Sequence, residues 1–174
     1  GEGGADRRVV MQAPKNGFFY VLDAADGELI SATPFTNQNW TTGEFDEKGR
    51  PVLVEEAVDL ALYAVIPGPT GAHNWHPMAF NPDTGLVYIP VNEIPFFYDK
   101  TRNVKDSKSF WNIGYDAAAG WPVEYPAGTL DAVADMDGGS LLAWDPVKAE
   151  PRWAVPFALP LNGGVLSTDA GLVF

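Results

Sequence analysis

With 174 residues, the chain is long enough for one ordinary domain with its own core. It is 46% hydrophobic and 13% aromatic with six Trp, which excludes a disordered chain. Its 23 acidic residues against 11 basic ones, a formal net charge of −12, exclude a phosphate backbone as partner. No apolar run approaches the ~20 residues needed to cross a bilayer, so no membrane span is expected. The lack of cysteine rules out a disulfide framework, a thiolate zinc site, an iron–sulfur cluster and covalent haem attachment within these residues. The 18 Gly and 15 Pro suit many short strands joined by tight turns, and the fold class expected is all-β.

In chain order, the first strong element is the apolar strand Phe18-Phe19-Tyr20-Val21-Leu22, which runs into Asp23 with Gly27 four residues on. Residues 41 to 62 carry Glu44, Asp46, Glu47, Lys48, Gly49 and Arg50 and read as a polar loop with one short helical turn. Met78-Ala79-Phe80 then enters Asn81-Pro82-Asp83-Thr84-Gly85, and Leu86-Val87-Tyr88-Ile89 follows as a second strand. Residues 99 to 137 lack clear periodicity and read as a long surface excursion. Ser140-Leu141-Leu142-Ala143-Trp144 leads into Asp145, with Ala149 at the glycine position and Trp153 eight residues after the Asp. Residues 163 to 174 read as a strand, a turn and the opening of another strand. With a start at Gly1-Glu2-Gly3-Gly4 rather than Met, this suggests a piece of a longer protein.

These units share one chemistry. Asp or Asn caps a turn with its side chain, and Gly supplies the positive φ that re-enters the next strand. A Trp on the second strand is expected to pack against the neighbouring unit. Such hairpins cannot bury both faces alone, so they stack. Their spacing of about sixty residues fits one propeller blade plus an insertion, though spacing alone leaves a sandwich or barrel open. At most about three blades fit, which is too few to close a ring.

Three segments resemble a known family. They are Val10-Met11-Gln12-Ala13-Pro14-Lys15-Asn16-Gly17-Phe18-Phe19-Tyr20-Val21-Leu22-Asp23, then Pro67 to Pro82 with Thr84 to Pro90, and Gly138 to Pro146 with Asn162 to Thr168. The second contains Gly71-Ala72-His73-Asn74-Trp75-His76-Pro77. In this order they resemble the PQQ-dependent quinoprotein and quinohaemoprotein alcohol dehydrogenases; the match is weakest in 41 to 62 and 99 to 137. The resemblance implies an eight-bladed periplasmic β-propeller, of which residues 1–174 would be about three blades in an incomplete ring with long loop insertions. It implies pyrroloquinoline quinone (PQQ) and Ca²⁺ on the propeller axis, a small alcohol as substrate, and hydride transfer to the quinone. A cytochrome c or a quinone would take the electrons, and a haem c domain would follow in the parent protein but not in this chain.

By that resemblance Lys15 matches the cation that hydrogen-bonds the quinone's reacting oxygens, where a fixed ammonium stabilises developing charge. Asn74 and Trp75 match the pair that contacts the quinone, one by a two-sided amide and the other by a flat apolar wall. His73 and His76 bracket this pair without a third ligand at a convincing offset, and they read as structural rather than metal-binding. No metal ligand and no catalytic aspartate is assigned in this chain, because the family's Ca²⁺ ligands and its base lie upstream of the matched part. The isolated chain is therefore expected not to turn over alcohol and to bind PQQ weakly at best. Two alternatives stand beside this reading: a non-catalytic propeller scaffold, and a sugar or polyol dehydrogenase using the same quinone. Ile94-Pro95-Phe96-Phe97-Tyr98 would line a pocket for small or apolar alcohols, or else form a core strand.

Overall fold

Alternation along one strand organises the molecule. In β2 (Phe18–Asp23), successive side chains point to opposite faces, so two adjacent phenylalanines are buried in different environments. Phe18 lies edge-on to Trp40 and Phe45, with ring centroids at 6.0 and 5.0 Å. Phe19 packs on Trp144, centroids 5.8 Å apart, inside the main core with Ala13, Ala72, Val87, Ile89, Val91 and Leu142.

The structure, a computed structural model, describes residues 7–58, 63–98, 138–160 and 163–174. The expected surface excursion at 99 to 137 therefore lies outside the described residues, as does Asn162. The strands β1 (Val9–Gln12), β2 and β3 (Leu29–Pro34) form a three-stranded antiparallel sheet. A four-stranded antiparallel sheet is built from β7 (Ala79–Asn81), β8 (Leu86–Asn92), β10 (Gly139–Asp145) and β11 (Glu150–Phe157), in the order β11-β10-β8-β7. Two-stranded ribbons pair β4 (Thr41–Phe45) with β5 (Pro51–Leu53) and β6 (Tyr63–Val65) with β9 (Phe96–Tyr98). The all-β, propeller-type architecture expected from the sequence is present, and among the described residues the sheets do not close into a ring.

The three hairpin turns use the chemistry the sequence implied. Asp23 Oδ1 accepts from Ala25 N, Asn81 Oδ1 from Asp83 N and Thr84 N, and Asp145 Oδ1 from Val147 N and Lys148 N. The fourth residue after each is left-handed: Gly27 at φ 81°, Gly85 at 68° and Ala149 at 55°. A non-glycine residue there costs roughly 1–2 kcal/mol. Ala149 also packs against the core, a contact that offsets part of the cost.

Several expectations change. The hairpins at Asn81 and Asp145 lie in one sheet rather than in successive units, because β8 pairs directly with β10. Residues 41 to 62 do contain the short helical turn, α1 (Glu55–Val58), but the loop before it is the β4–β5 hairpin. Its turn is another Asp–Gly turn, one residue tighter: Asp46 Oδ1 accepts from Lys48 N and Arg50 N, and Gly49 N donates to Asp46 O. Polar exposed side chains hid this ribbon from a reading based on apolar runs. Finally, among the described residues Trp153 meets its own sheet rather than a neighbouring unit. A one-residue register shift in β11 sets it opposite Ala143, and across that small residue its ring meets Tyr88 of the same sheet at 5.8 Å. Trp144, on the first strand of that hairpin, joins the two larger sheets.

In residues 163 to 174, Leu166 and Phe174 exchange backbone hydrogen bonds across a turn with Gly171 at φ 79°, but only an isolated bridge between Ser167 and Val173 forms there rather than the two strands the sequence implied.

Candidate functional site

Lys15 stands in a tight turn between β1 and β2. Gly17 N donates to Pro14 O, and Asn16 Oδ1 accepts from Phe18 N while Asn16 Nδ2 donates to the Tyr20 hydroxyl at 2.8 Å. Gly17, at φ 87°, lets the chain turn back into β2. The turn fixes the Lys15 backbone and leaves the side chain exposed. Its Nζ donates to Pro69 O at 3.1 Å, which leaves two of the three ammonium N–H groups for other acceptors.

Asn74 and Trp75 lie on a loop laid against that turn. Ala72 is the junction: its N–H donates to Lys15 O at 2.9 Å, and its carbonyl accepts from Asn92 N at the end of β8 at 2.7 Å. Gly71, at φ 84°, is pressed so closely on Lys15 that a Cβ there would sit 2.5 Å from Lys15 Cγ and 2.8 Å from its Cα. Only a residue without a side chain fits this approach. The imidazole of His73, 5% exposed, faces Ala13 O through Nδ1 at 2.5 Å and His76 O through Nε2 at 2.7 Å. Beyond the loop, Val165 N donates to Pro77 O at 2.8 Å.

The sequence-predicted site residues are thereby brought together, though 60 positions separate the two segments that carry them. The Lys15 ammonium lies 5.7 Å from the centre of the Trp75 ring, a cation–π distance. Trp75 is 80% exposed and offers a free indole face. Asn74 Nδ2 is buried without a hydrogen-bond partner, a donor that normally costs stability unless something satisfies it. Both nitrogens of His73 face carbonyl oxygens, so its polar atoms are engaged within the protein. Among the described residues no group of three His, Asp or Glu side chains gathers at metal-binding distance.

A cavity of about 430 Å³ opens beside Lys15 and Asn16. Trp40, Leu53, Ala57, Val65 and Pro67 form its apolar wall. The sequence reading missed these residues. Leu53 and Ala57 sit in the segment taken for a loop, and no motif marks a wall assembled from five separate positions. Ile94 and Phe96 do not line this cavity. Phe96 is in β9, paired with Val65 in a two-stranded ribbon, where it is half-buried with its Cβ against Gly68.

No family model matches the chain. It is 44% identical to the quinohemoprotein alcohol dehydrogenase ADH-IIG and 46% identical to ADH IIB, both of Pseudomonas putida, over 98% of its own length in each case. Among solved structures, it superposes on that of ADH-IIG with a TM-score of 0.76 at 41% identity, covering 99% of this chain and 26% of that one. The quinohemoprotein alcohol dehydrogenase of Comamonas testosteroni gives 0.77 at 38% identity, covering 99% and 25%. Over nearly its whole length, the chain is similar to one part of the quinohaemoprotein alcohol dehydrogenases. It spans about a quarter of these curated relatives, 24% of each. A europium-containing methanol dehydrogenase shares the fold at a TM-score of 0.74 and 27% identity, over 98% of this chain and 29% of that one. In the structure, the three segments that carry the quinohaemoprotein resemblance meet one another: Ala72 and His73 bond to the first segment, and Pro77 and Asn81 to the third.

Proposed function

We propose that this chain is the part of a PQQ-dependent alcohol dehydrogenase propeller that offers Lys15, Asn74 and Trp75 to the quinone. One observation carries the reading: a cation, a flat exposed ring and a buried, unpartnered amide N–H converge from two distant segments. That donor set fits the group. PQQ is planar, anionic and rich in carbonyl oxygens, and it can accept from Asn74 Nδ2 and from the spare N–H groups of Lys15 while lying against an indole face. When bound, the quinone supplies a carbonyl that accepts hydride from the alcohol carbon. Lys15 contributes a fixed positive charge, held in place by Pro69 O and by the turn beneath it. Asn74 orients the ring by donation, and Trp75 shields one face of it from water.

The apolar cavity beside Lys15 supports an alcohol with a hydrocarbon body as substrate, over a sugar or polyol. The catalytic base and a Ca²⁺ site belong, on this reading, to parts of the propeller outside this chain. So do any haem c domain and the contacts to a cytochrome or quinone acceptor. The periplasm is the expected compartment; among the described residues no helix is long and apolar enough to cross a membrane.

The test is titration of PQQ into the metal-loaded full-length protein that carries this chain, followed by quinone absorbance. Lys15→Ala and Asn74→Ala should each weaken binding about tenfold or more, since each removes a hydrogen bond to a charged partner worth roughly 1.5–3 kcal/mol. Wild-type protein that ignores PQQ, or variants that bind like wild type, would leave the scaffold reading in its place.

A further inference from the structure

We infer that His73 is a positioning residue, whose imidazole locks Lys15 and the Asn74–Trp75 pair into one geometry. The inference rests on the quinone reading above and goes beyond it. The candidate contacts lie on two segments, and a quinone held by both senses any shift between them. His73 spans that gap with one rigid ring. Nδ1 meets the carbonyl of Ala13, two residues before Lys15, and Nε2 meets the carbonyl of His76, directly after Trp75. The distance between the two segments is therefore set by the width of an imidazole.

Other side chains do not reproduce this. A glutamine carries its polar atoms on a flexible side chain and reaches one carbonyl only, while leucine or phenylalanine offers no donor. Burial sharpens the requirement at Ala13, which is fully buried, so its carbonyl has no water as a substitute donor. Ala72 and Gly71 reinforce the same junction through the Lys15 backbone, so His73 acts in a region already pressed together. The chain runs His73-Asn74-Trp75-His76, and the ring of the first residue closes the loop on the carbonyl of the last. Asn74 and Trp75 are carried between these two points. Trp75 is exposed there, and Asn74 Nδ2 is buried without a partner.

The experiment is a double-mutant cycle in the full-length, Ca²⁺-loaded protein with PQQ itself as the probe. Affinity is read from quinone absorbance, and circular dichroism confirms that each variant is folded at the temperature used. His73→Gln should weaken PQQ binding about tenfold and His73→Leu further, with the glutamine recovering part of the loss by keeping one donor. In a Lys15→Ala background the His73→Gln loss should shrink to about threefold, because one of the groups it aligns is gone. If His73→Gln binds like wild type, or costs the same factor with and without Lys15, His73 is merely structural and the inference is overturned. Should His73→Leu fail to fold, His73→Gln still decides. Failure of the underlying reading looks different: there, wild type does not bind PQQ or Lys15→Ala binds as wild type does, and both proposals fall together.

Discussion

The two halves of the candidate site are held by opposite means. The Lys15 turn makes most of its own side-chain and turn bonds locally, with Asn16 bonding Phe18 N and Tyr20 and Gly17 bonding Pro14, all within seven residues. The Asn74–Trp75 loop depends on distant residues instead: Ala72 on Lys15 and Asn92, His73 on Ala13, and Pro77 on Val165. A turn stabilised by near neighbours tolerates damage elsewhere. A loop stabilised by remote ones is only as well placed as the core beneath it. The difference also decides where polar atoms are left over. The turn has spent its amide, whereas the loop keeps Asn74 Nδ2 buried and unpartnered.

Substitutions can break that contrast at different points, each checked by urea unfolding of the full-length protein. The largest effect is expected from Trp144→Ala. Trp144 is 2% exposed and packs on Phe19, joining the sheet that follows the turn to the sheet that supports the loop. Truncation should cost about 3–5 kcal/mol and loosen both halves together. Gly71→Val strikes the junction itself. A left-handed backbone at φ 84° and a Cβ 2.5 Å from Lys15 Cγ together predict a loss of about 2–4 kcal/mol. It should also weaken PQQ binding by displacing Lys15.

Asn16→Ala tests the self-contained half. It removes two local hydrogen bonds and should cost about 1–2 kcal/mol, with Trp75 fluorescence unchanged because the loop does not lean on Asn16. A changed Trp75 signal would mean the halves are coupled through the turn after all. The smallest effect belongs to Gly27→Ala, remote from both halves. Nothing lies within 4 Å of the added Cβ, so the penalty reduces to φ 81°, about 1 kcal/mol, with no effect on PQQ binding.

How much was legible follows from the same contrast. The strand–Asp–turn–Gly units were readable because their chemistry is local: a side-chain oxygen bonds its own following backbone, and one residue adopts positive φ. Even Ala149 could be placed in that role by its distance from Asp145. The candidate residues Lys15, Asn74 and Trp75 were legible through motif resemblance, but their convergence was not. The β4–β5 ribbon escaped because its few packing residues, Phe45 and Leu53, are separated by polar exposed ones and leave no apolar alternation to follow.

The sequence by itself determined the all-β class and the turns, which are properties of neighbours along the chain, and it named Lys15, Asn74 and Trp75 as candidates by resemblance. Only the tertiary structure decided that β8 pairs with β10 across the long intervening segment, and that Trp144 rather than Trp153 joins the sheets. It alone brought an imidazole between Ala13 and His76 and gathered an apolar wall from Trp40 to Pro67. The reason is physical: a turn is fixed by bonds a few residues long, whereas packing depends on which distant surfaces exclude water together.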